Sequence, residues 1–588
     1  MKVFNVLRTN ELPKRTSWWR YALTLGVIYV ALSALSARVA IPPLVESDYA
    51  YQLLAADRLV EGKGFTSLQP VAPGQPWSWR YDWGYLTQWP AGYALLVAAV
   101  RRLTGGTTLE ACASMGCAAA ALALVGWFAW LRRCAPSGLV GWMLALCGAV
   151  AAVSPALLIN PSTDGLLVAA IPWVLLLAHR VVEGRHCAKE SNGDDRPGAG
   201  STGVPVAMAC GLLAGGLFGL RYAAVFVPGA TIVSLLLCTR GNGRARIRQT
   251  LAFGIGAAIP VAAILLVNLS MAQGGGVQEQ LNLGKSVRVR LEPALLIEAW
   301  RRWTDLGYYS HVPIAGSLMA ILPALVIFTA MIPFGVGRRM RSALLSPARV
   351  LSLLMLVAGL GLIVAATALF GEKFNYVGLD RYYLPLRPLY FAVVIGPILA
   401  VVSSRHPESD GRAVFTRRAF APVARMGAAI ALVVALNWSV QQNWRRTLVR
   451  WSEANRPVTP YGQWERCFTP ASAELYSWLR VQASPQLIIV SNFHEYVALE
   501  TGLATLPVPP DRAALEAWTT AIRQARQVED LRVLFVLDSD NRWRDYWIEE
   551  PEELVRRFDL VPTQAAPATL ARWIYEPVPT AVAQNNAS

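Results

Sequence analysis

Long apolar segments recur along this chain, and they limit its possible folds more than any other feature. The runs at 111–131, 251–271 and 351–370 approach the roughly 20 residues that a helix needs to cross a bilayer. Because lipid cannot hydrogen-bond to the backbone, a spanning segment must be a helix or part of a closed barrel. With 54% hydrophobic and only 16% charged residues, the chain is predicted to be a polytopic α-helical membrane protein.

Basic residues cluster in short segments between the apolar runs. The clusters lie at 14–20, 132–133, 240–248, 338–341 and 412–418. The positive-inside rule puts all of them in the cytoplasm, provided that the short apolar stretch 90–103 lies along the interface; this gives about eleven spans. The rule also accounts for the net charge of +16, so we predict no nucleic-acid partner.

Four regions face outward in this topology: the segments 41–109, 272–311 and 371–387, and the tail after 440. The pattern of the tail changes after about 460, where strand-like and helix-like segments alternate. The strand-like segments are 486–490 and 533–537, and the helix-like segments are 471–481, 512–527 and 551–558. We predict a transmembrane domain at 1–440, which includes the loop 41–109, and a small extracytoplasmic α/β domain at 441–588. In that second domain His494, Asp538 and Asp540 are predicted to be structural or surface residues.

The loop 41–109 begins with an acid, Asp48, just beyond the first apolar run. Apolar residues from Tyr49 to Leu59 recur at helical spacing, and Gly62-Lys-Gly64 is expected to end that helix. A carboxylate at the membrane edge is partly solvated, so its pKa can be tuned and it can act as a base. The aromatic residues between 77 and 89 indicate an interfacial belt, a wall that stacks on sugar or lipid, or both.

Further charged residues fall at the predicted outward ends of spans. They are Asp164, Arg221 and Arg381, the last followed by Tyr382. Arginine binds phosphate through two parallel hydrogen bonds and an acid can activate a nucleophile, so together with Asp48 these residues predict an anionic lipid substrate. Lys285 and Arg288 in the outward loop 272–311 are candidates for a second phosphate contact. The alternative is that the charges snorkel or pair with one another at helix ends.

Short motifs between about 20 and 440 resemble, in their order, GT-C glycosyltransferases. These are multispanning enzymes that use polyprenyl-phosphate sugars, including protein O-mannosyltransferases and lipid A aminoarabinose transferases. The motifs are Asp48 after an anchor helix, Gly62-Lys-Gly64-Phe65, Trp89-Pro90, Ser154-Pro155 with Asp164, the segment ending at Arg221, and Arg381-Tyr382-Tyr383-Leu384-Pro385. The resemblance implies that Asp48 is the catalytic acid of the first outward loop and Asp164 the second acidic position, and that Arg221 and Arg381 hold the donor phosphate.

The chain departs from the family at two motifs. Tyr49 and Trp89 stand where the family often has Asp-Glu and Pro-Pro, which leaves Glu46 and Asp57 as possible substitutes for a paired acid.

The resemblance implies an inverting hexosyl- or pentosyltransferase at the outer face of a bacterial cytoplasmic membrane. It would take sugar from a polyprenyl monophosphate and pass it to a lipid, glycan or protein hydroxyl. Arginines can compensate the charge of a leaving monophosphate, so no cofactor beyond the lipid donor is expected, and use of a divalent metal stays open. The alternatives are a transporter or flippase of an anionic lipid or glycan, and a noncatalytic assembly subunit.

Overall fold

The structure is a computed structural model that describes fourteen stretches of the chain. They are residues 24–33, 47–68, 83–86, 89–134, 139–152, 163–183, 203–239, 243–271, 346–370, 384–386, 388–390, 392–393, 470–537 and 551–578. The described residues form two compact units. The first, called the membrane unit, is drawn from residues 1–40 and 113–450. The second is drawn from 41–112 and 451–588 and is called the outer unit because it contains the loop and the tail that are predicted to face outward.

Most of the described residues are helical. The helices are α1 (Thr24–Ser33), α2 (Ser47–Val60), α3 (Gly92–Thr104), α4 (Thr108–Cys134), α5 (Leu139–Ala152), α6 (Thr163–Glu183), α7 (Gly203–Gly216), α8 (Phe226–Cys238), α9 (Gly243–Met271), α10 (Pro347–Phe370), α11 (Pro470–Val481), α12 (His494–Thr501), α13 (Arg512–Arg526) and α14 (Pro551–Arg557). The strands are β1 (Thr66–Ser67), β2 (Gly84–Tyr85), β3 (Leu487–Ser491), β4 (Thr505–Leu506), β5 (Arg532–Val536), β6 (Leu560–Pro562) and β7 (Ile574–Pro577). Short 3-10 helices lie at Leu217–Gly219, Tyr222–Val225 and Leu384–Leu386.

Several helices of the membrane unit have the length and composition of a membrane span. Within the described stretches, Glu110–Cys134, Thr163–Glu183, Gly243–Met271 and Pro347–Ala365 are long and apolar enough to cross a bilayer. On α9 the large apolar side chains of Leu251, Ile255 and Leu266 are exposed, which water would disfavour and lipid accommodates. The protein is therefore membrane-embedded. The predicted spans at 314–334 and 426–438 lie outside the described residues, so the count of about eleven stays a prediction.

Tryptophan side chains join the spanning helices through polar contacts. Trp127 and Trp130 of α4 are fully buried. The indole N–H of Trp127 donates to the carbonyl of Val168 at 2.7 Å, and that of Trp130 donates to the hydroxyl of Ser352 at 2.9 Å. These bonds satisfy indole groups that lipid would leave unpaired, and so fix α4 against α6 and α10.

Helices α7 and α9 approach closely because glycines line their contact. A Cβ atom added at Gly211 would overlap the carbonyl oxygen of Phe253, and one added at Gly256 would overlap that of Met208. Small residues let two backbones approach at this distance, and dispersion then holds the helices together inside the bilayer.

Gly256→Ala is expected to destabilise the protein, because the added methyl group has no space and the helices must separate. Overpacking of this kind lowers the free energy of unfolding by on the order of 1–3 kcal/mol. Gly254→Ala is the matched control, since nothing lies within 4 Å of its would-be Cβ atom on the same helix and alanine favours a helix interior. Thermal unfolding of both purified variants in detergent measures the difference, and equal midpoints would contradict this account of the contact.

The outer unit begins with α2, whose pattern of buried residues matches the predicted helix. Tyr49, Leu53 and Ala56 are among the buried side chains of this helix. The chain then turns at Gly62 and Gly64, which adopt φ values of +76° and +85°. Glycine enters this left-handed region without steric strain, so the Gly-x-Gly motif ends the helix as predicted.

Helix α3 covers most of the segment that was predicted to lie along the membrane interface. Its 13 residues extend about 20 Å, which is short of the roughly 30 Å hydrocarbon core. Tyr93 and Val97 are buried while Leu95, Leu96 and Leu103 are exposed. An amphipathic helix of this length is suited to lie along the interface, and its position there remains a prediction.

The C-terminal part of the outer unit contains a five-stranded sheet in the order β4-β3-β5-β7-β6. Strand β3 pairs in parallel with β4 and β5, whereas β7 pairs antiparallel with β5 and β6. Ile488 and Val490 pack toward α13 and α14, whereas Leu487 and Ile489 pack toward α11 and α12. Strand β3 is therefore buried on both faces, as its continuous apolar sequence requires. The predicted strand-like segments overlap β3 and β5.

Candidate functional site

A buried ion pair joins two of the predicted site residues. Asp164 is the second residue of α6, and its side chain is only 2% exposed. Its Oδ1 atom contacts the guanidinium Nη1 atom of Arg221, whose side chain is 14% exposed. A carboxylate buried this deeply needs a charged partner, and the N-terminal end of a helix adds favourable electrostatics.

Arg221 lies where the chain breaks between two apolar helical segments. The 3-10 helix after α7 ends at Gly219 and is followed by its cap residue Leu220. Arg221 then has extended backbone, with φ −155° and ψ 128°, before the next 3-10 helix begins. The hydroxyl of Tyr222 accepts a 2.7 Å hydrogen bond from the amide of Asn268, which ties the break to α9. Arg221 therefore lies between the end of the apolar segment Gly203–Gly219 and the beginning of the apolar segment Tyr222–Cys238, as the sequence predicted.

A small pocket with a volume of about 20 Å³ lies beside this pair. Apart from the pair, most of its lining is apolar. The lining residues are Leu167 of α6, Ala223 and Phe226, Gly359, Leu362 and Ile363 of α10, and Pro385 and Leu386 of the last 3-10 helix. The site therefore places a guanidinium next to apolar side chains, the two kinds of group that an anionic head and an apolar chain would contact.

The described backbone places Asp48 in the first turn of α2, as its second residue. The Asp48 side chain lies outside the described part of the structure. Asp57, a predicted substitute, is nine positions further along the same helix. Nine residues correspond to about 13 Å along the helix axis and to half a turn around it. Carboxylates at the two positions therefore cannot act on the same atom of a substrate.

Asp57 has a structural contact of its own. Its Oδ1 atom accepts a hydrogen bond from Arg101 at 2.5 Å and another from the hydroxyl of Thr108. Burial raises the pKa of Asp57, while Thr108 and Arg101 act in the opposite direction. The carboxylate thus joins α2 to α3 and to the beginning of α4.

The remaining predicted site residues lie outside the described residues. They are Arg381, Tyr382, Lys285, Arg288 and the possible substitute Glu46. Two positions separate Arg381 from Leu384, which begins the 3-10 helix whose Pro385 and Leu386 line the pocket. In the part of the chain that is described, no group of three or more His, Cys, Asp or Glu side chains is arranged to hold a metal ion.

A contact between α2 and α12 was not predicted from the sequence. The hydroxyl of Tyr51 and the Nε2 atom of His494 are 2.7 Å apart, although the two residues are 443 positions apart in the chain. The sequence offered only one signal, a histidine in the tail whose partner could not be identified. The apolar spacing of Tyr49 to Leu59 predicted the helix that carries Tyr51, but it did not predict this contact.

Glu500, on α12, should make the stability of the protein depend on pH. Burial raises its pKa to about 7, the charge of Arg480 opposes the shift, and that of Asp57 adds to it. The ordinary pKa is 4.5, so between these values the folded protein retains a proton that the unfolded chain releases. The contribution of Glu500 to the free energy of unfolding is therefore fully present below about pH 4.5, and it is lost as the pH rises from there through 7.

We therefore expect Glu500→Gln to match the wild type at about pH 4 and to exceed it in thermal stability at pH 8. Glutamine resembles the protonated carboxyl in size and stays neutral, so the wild type alone loses stability on ionisation. Unfolding midpoints of both proteins across this pH range provide the measurement. Parallel pH profiles would show that Glu500 titrates normally in the folded protein.

No protein-family model and no curated protein matches the chain. Solved structures of two other proteins are similar to it. ArnT from Cupriavidus metallidurans, bound to undecaprenyl phosphate, is 14% identical over 90% of this chain and 94% of its own, with a TM-score of 0.48. The oligosaccharyltransferase AglB from Archaeoglobus fulgidus, in complex with an inhibitory peptide and a dolichol-phosphate, is 14% identical over 88% of this chain and 70% of its own, with a TM-score of 0.43. These similarities assign no residue role to this chain.

Proposed function

We propose that this protein is a GT-C-type glycosyltransferase of the bacterial cytoplasmic membrane. It transfers a hexosyl or pentosyl group from a polyprenyl monophosphate to a hydroxyl of a lipid, glycan or protein on the outer face. The observation that carries the proposal is the buried aspartate–arginine pair beside a small pocket with otherwise apolar lining. A polyprenyl phosphate has this combination of an anionic head and an apolar chain.

The proposed reaction is a single displacement at the anomeric carbon. The acceptor oxygen forms a bond to this carbon, the bond from the carbon to the phosphate oxygen breaks, and polyprenyl phosphate leaves. Asp48 accepts the proton of the attacking hydroxyl, and inversion follows from attack on the face opposite the phosphate. Arg221 and Arg381 stabilise the negative charge that the phosphate gains, and Lys285, Arg288 and Tyr382 are candidates for further phosphate contacts.

Asp164 acts in this proposal through Arg221. A long guanidinium side chain has many rotamers, and a fixed carboxylate partner reduces them before the donor binds. The ion pair in the structure supports this role for the second acidic position.

Comparison of cell-envelope glycans with and without the gene tests the proposed function. Mass spectrometry of the glycolipid and glycoprotein fractions should show loss of one sugar residue in the deletion strain. Complementation with the wild-type gene should restore it, and the gene for Asp48→Asn should not. An unchanged glycan profile together with altered distribution of an anionic lipid between the leaflets would favour the flippase instead.

A further inference from the structure

Tyr51 is held by three separate segments of the outer unit. Its ring stacks on Trp89, with centroids 4.9 Å apart and an interplanar angle of 19°. Its carbonyl oxygen accepts a 2.6 Å hydrogen bond from the hydroxyl of Ser67. Its own hydroxyl is 2.7 Å from Nε2 of His494 in α12. The side chain is 5% exposed, so these contacts are shielded from water and hold one point of α2 firmly.

The environment of His494 favours one neutral tautomer of its imidazole ring. Burial lowers the pKa of His494, and Glu495 acts in the opposite direction, so the imidazole is neutral at pH 7. Nδ1 of the ring is 3.1 Å from Oε2 of Glu495. A proton on Nδ1 then faces the carboxylate, and Nε2 accepts the hydrogen bond that the Tyr51 hydroxyl donates.

We propose that His494 is a positioning residue for transfer, an inference that rests on the proposed function. By accepting the hydrogen bond from Tyr51, it fixes the first turn of α2 and thereby the location of Asp48. The C-terminal residues would then contribute to the reaction through the helix that carries the base, without touching the substrate.

The spacing along α2 makes this coupling physically direct. Tyr51 follows Asp48 by three residues, less than one helical turn, so their Cα positions are joined by a rigid segment. The ends of a helix fray unless tertiary contacts hold them. A shift of about 1 Å at a reacting group can lower a rate by about 100-fold. An anchor this close to the base therefore has a measurable effect on turnover.

The experiment combines three variants of the full-length protein with a polyprenyl-phosphate sugar as donor. His494→Ala and Tyr51→Phe are each expected to lower kcat by about 10- to 100-fold with donor KM unchanged, because the base is displaced and the phosphate contacts are not. The double variant should lose no more than either single variant, because one hydrogen bond is removed in all cases. His494→Gln should recover part of the loss, since its amide can still bond to the hydroxyl.

Tyr575→Phe is the matched control, because it deletes a tyrosine hydroxyl that donates to the nearby carbonyl of Arg572 at 3.0 Å in the same unit. Its kcat should equal that of the wild type. Hydrogen exchange at residues 47–56, measured without donor, should accelerate in His494→Ala and stay unchanged in Tyr575→Phe.

The outcomes separate the two proposals. An active wild-type enzyme whose kcat and exchange are unchanged in His494→Ala and Tyr51→Phe would overturn the role of His494 and leave the proposed function intact. Additive losses in the double variant would also overturn it. A folded wild-type protein that transfers no sugar from any polyprenyl-phosphate donor would instead overturn the proposed function itself.

Discussion

Asp48→Asn is expected to abolish sugar transfer while the protein still folds and inserts into the membrane. Asparagine keeps the size of the side chain and most of its hydrogen bonding, but it cannot accept a proton from the attacking hydroxyl. Removal of a general base typically lowers a rate by about 10²–10⁴. The loss should appear in kcat, since the phosphate contacts that bind the donor are elsewhere. Steady-state kinetics of the purified variant measure it.

Asp57→Asn is the matched control, because it makes the same chemical change nine residues further along the same helix. Asp57 contacts Arg101 and Thr108, so this variant should lose thermal stability and retain turnover. If Asp48→Asn turned over like the wild type and Asp57→Asn did not, the base would have to be reassigned to Asp57.

Arg221→Lys is expected to lower kcat/KM for the donor by roughly 10- to 100-fold, the effect of losing one hydrogen bond to a charged group. Lysine keeps the positive charge but lacks the planar fork that can hold Asp164 and a phosphate oxygen together. The defect should appear when donor concentration is varied, with acceptor KM little changed. Arg381→Lys is expected to give the same pattern if both arginines bind the phosphate.

Arg133→Lys is the control for Arg221→Lys. Arg133 is another partly buried arginine of the membrane unit, but it contacts His179 at 2.7 Å on α6 and does not line the pocket. Its substitution should leave donor use unchanged. If Arg221 only anchors a helix end, both lysine variants would use the donor as well as the wild type does.

Asp164→Asn separates a positioning role from a proton-transfer role for the second acid. If Asp164 acts through Arg221, its loss should resemble Arg221→Lys, with a defect in donor use and an unchanged pH profile of kcat. If Asp164 were a base, the defect would lie in kcat and would alter that pH profile.

The helices and several strands were predictable because their signals are local. Apolar runs such as 251–271 form a helix in lipid whatever surrounds them, since the backbone must satisfy its own hydrogen bonds. The Gly62 and Gly64 pair ends α2 because only glycine enters its backbone conformation without strain. The apolar segment 486–490 predicted a strand, and β3 lies there, buried along its whole length.

The sequence by itself therefore determined the class of protein, the helix that carries Asp48, and the break in the apolar pattern at Arg221. Only the tertiary structure decided that Asp164 contacts Arg221, that α10 and the segment at Leu384–Leu386 complete the pocket, and that His494 contacts Tyr51. The physical reason is the distance along the chain over which each signal acts. Helix and turn signals act over a few residues, whereas these contacts join segments tens to hundreds of residues apart, and periodicity within one segment does not specify its partner.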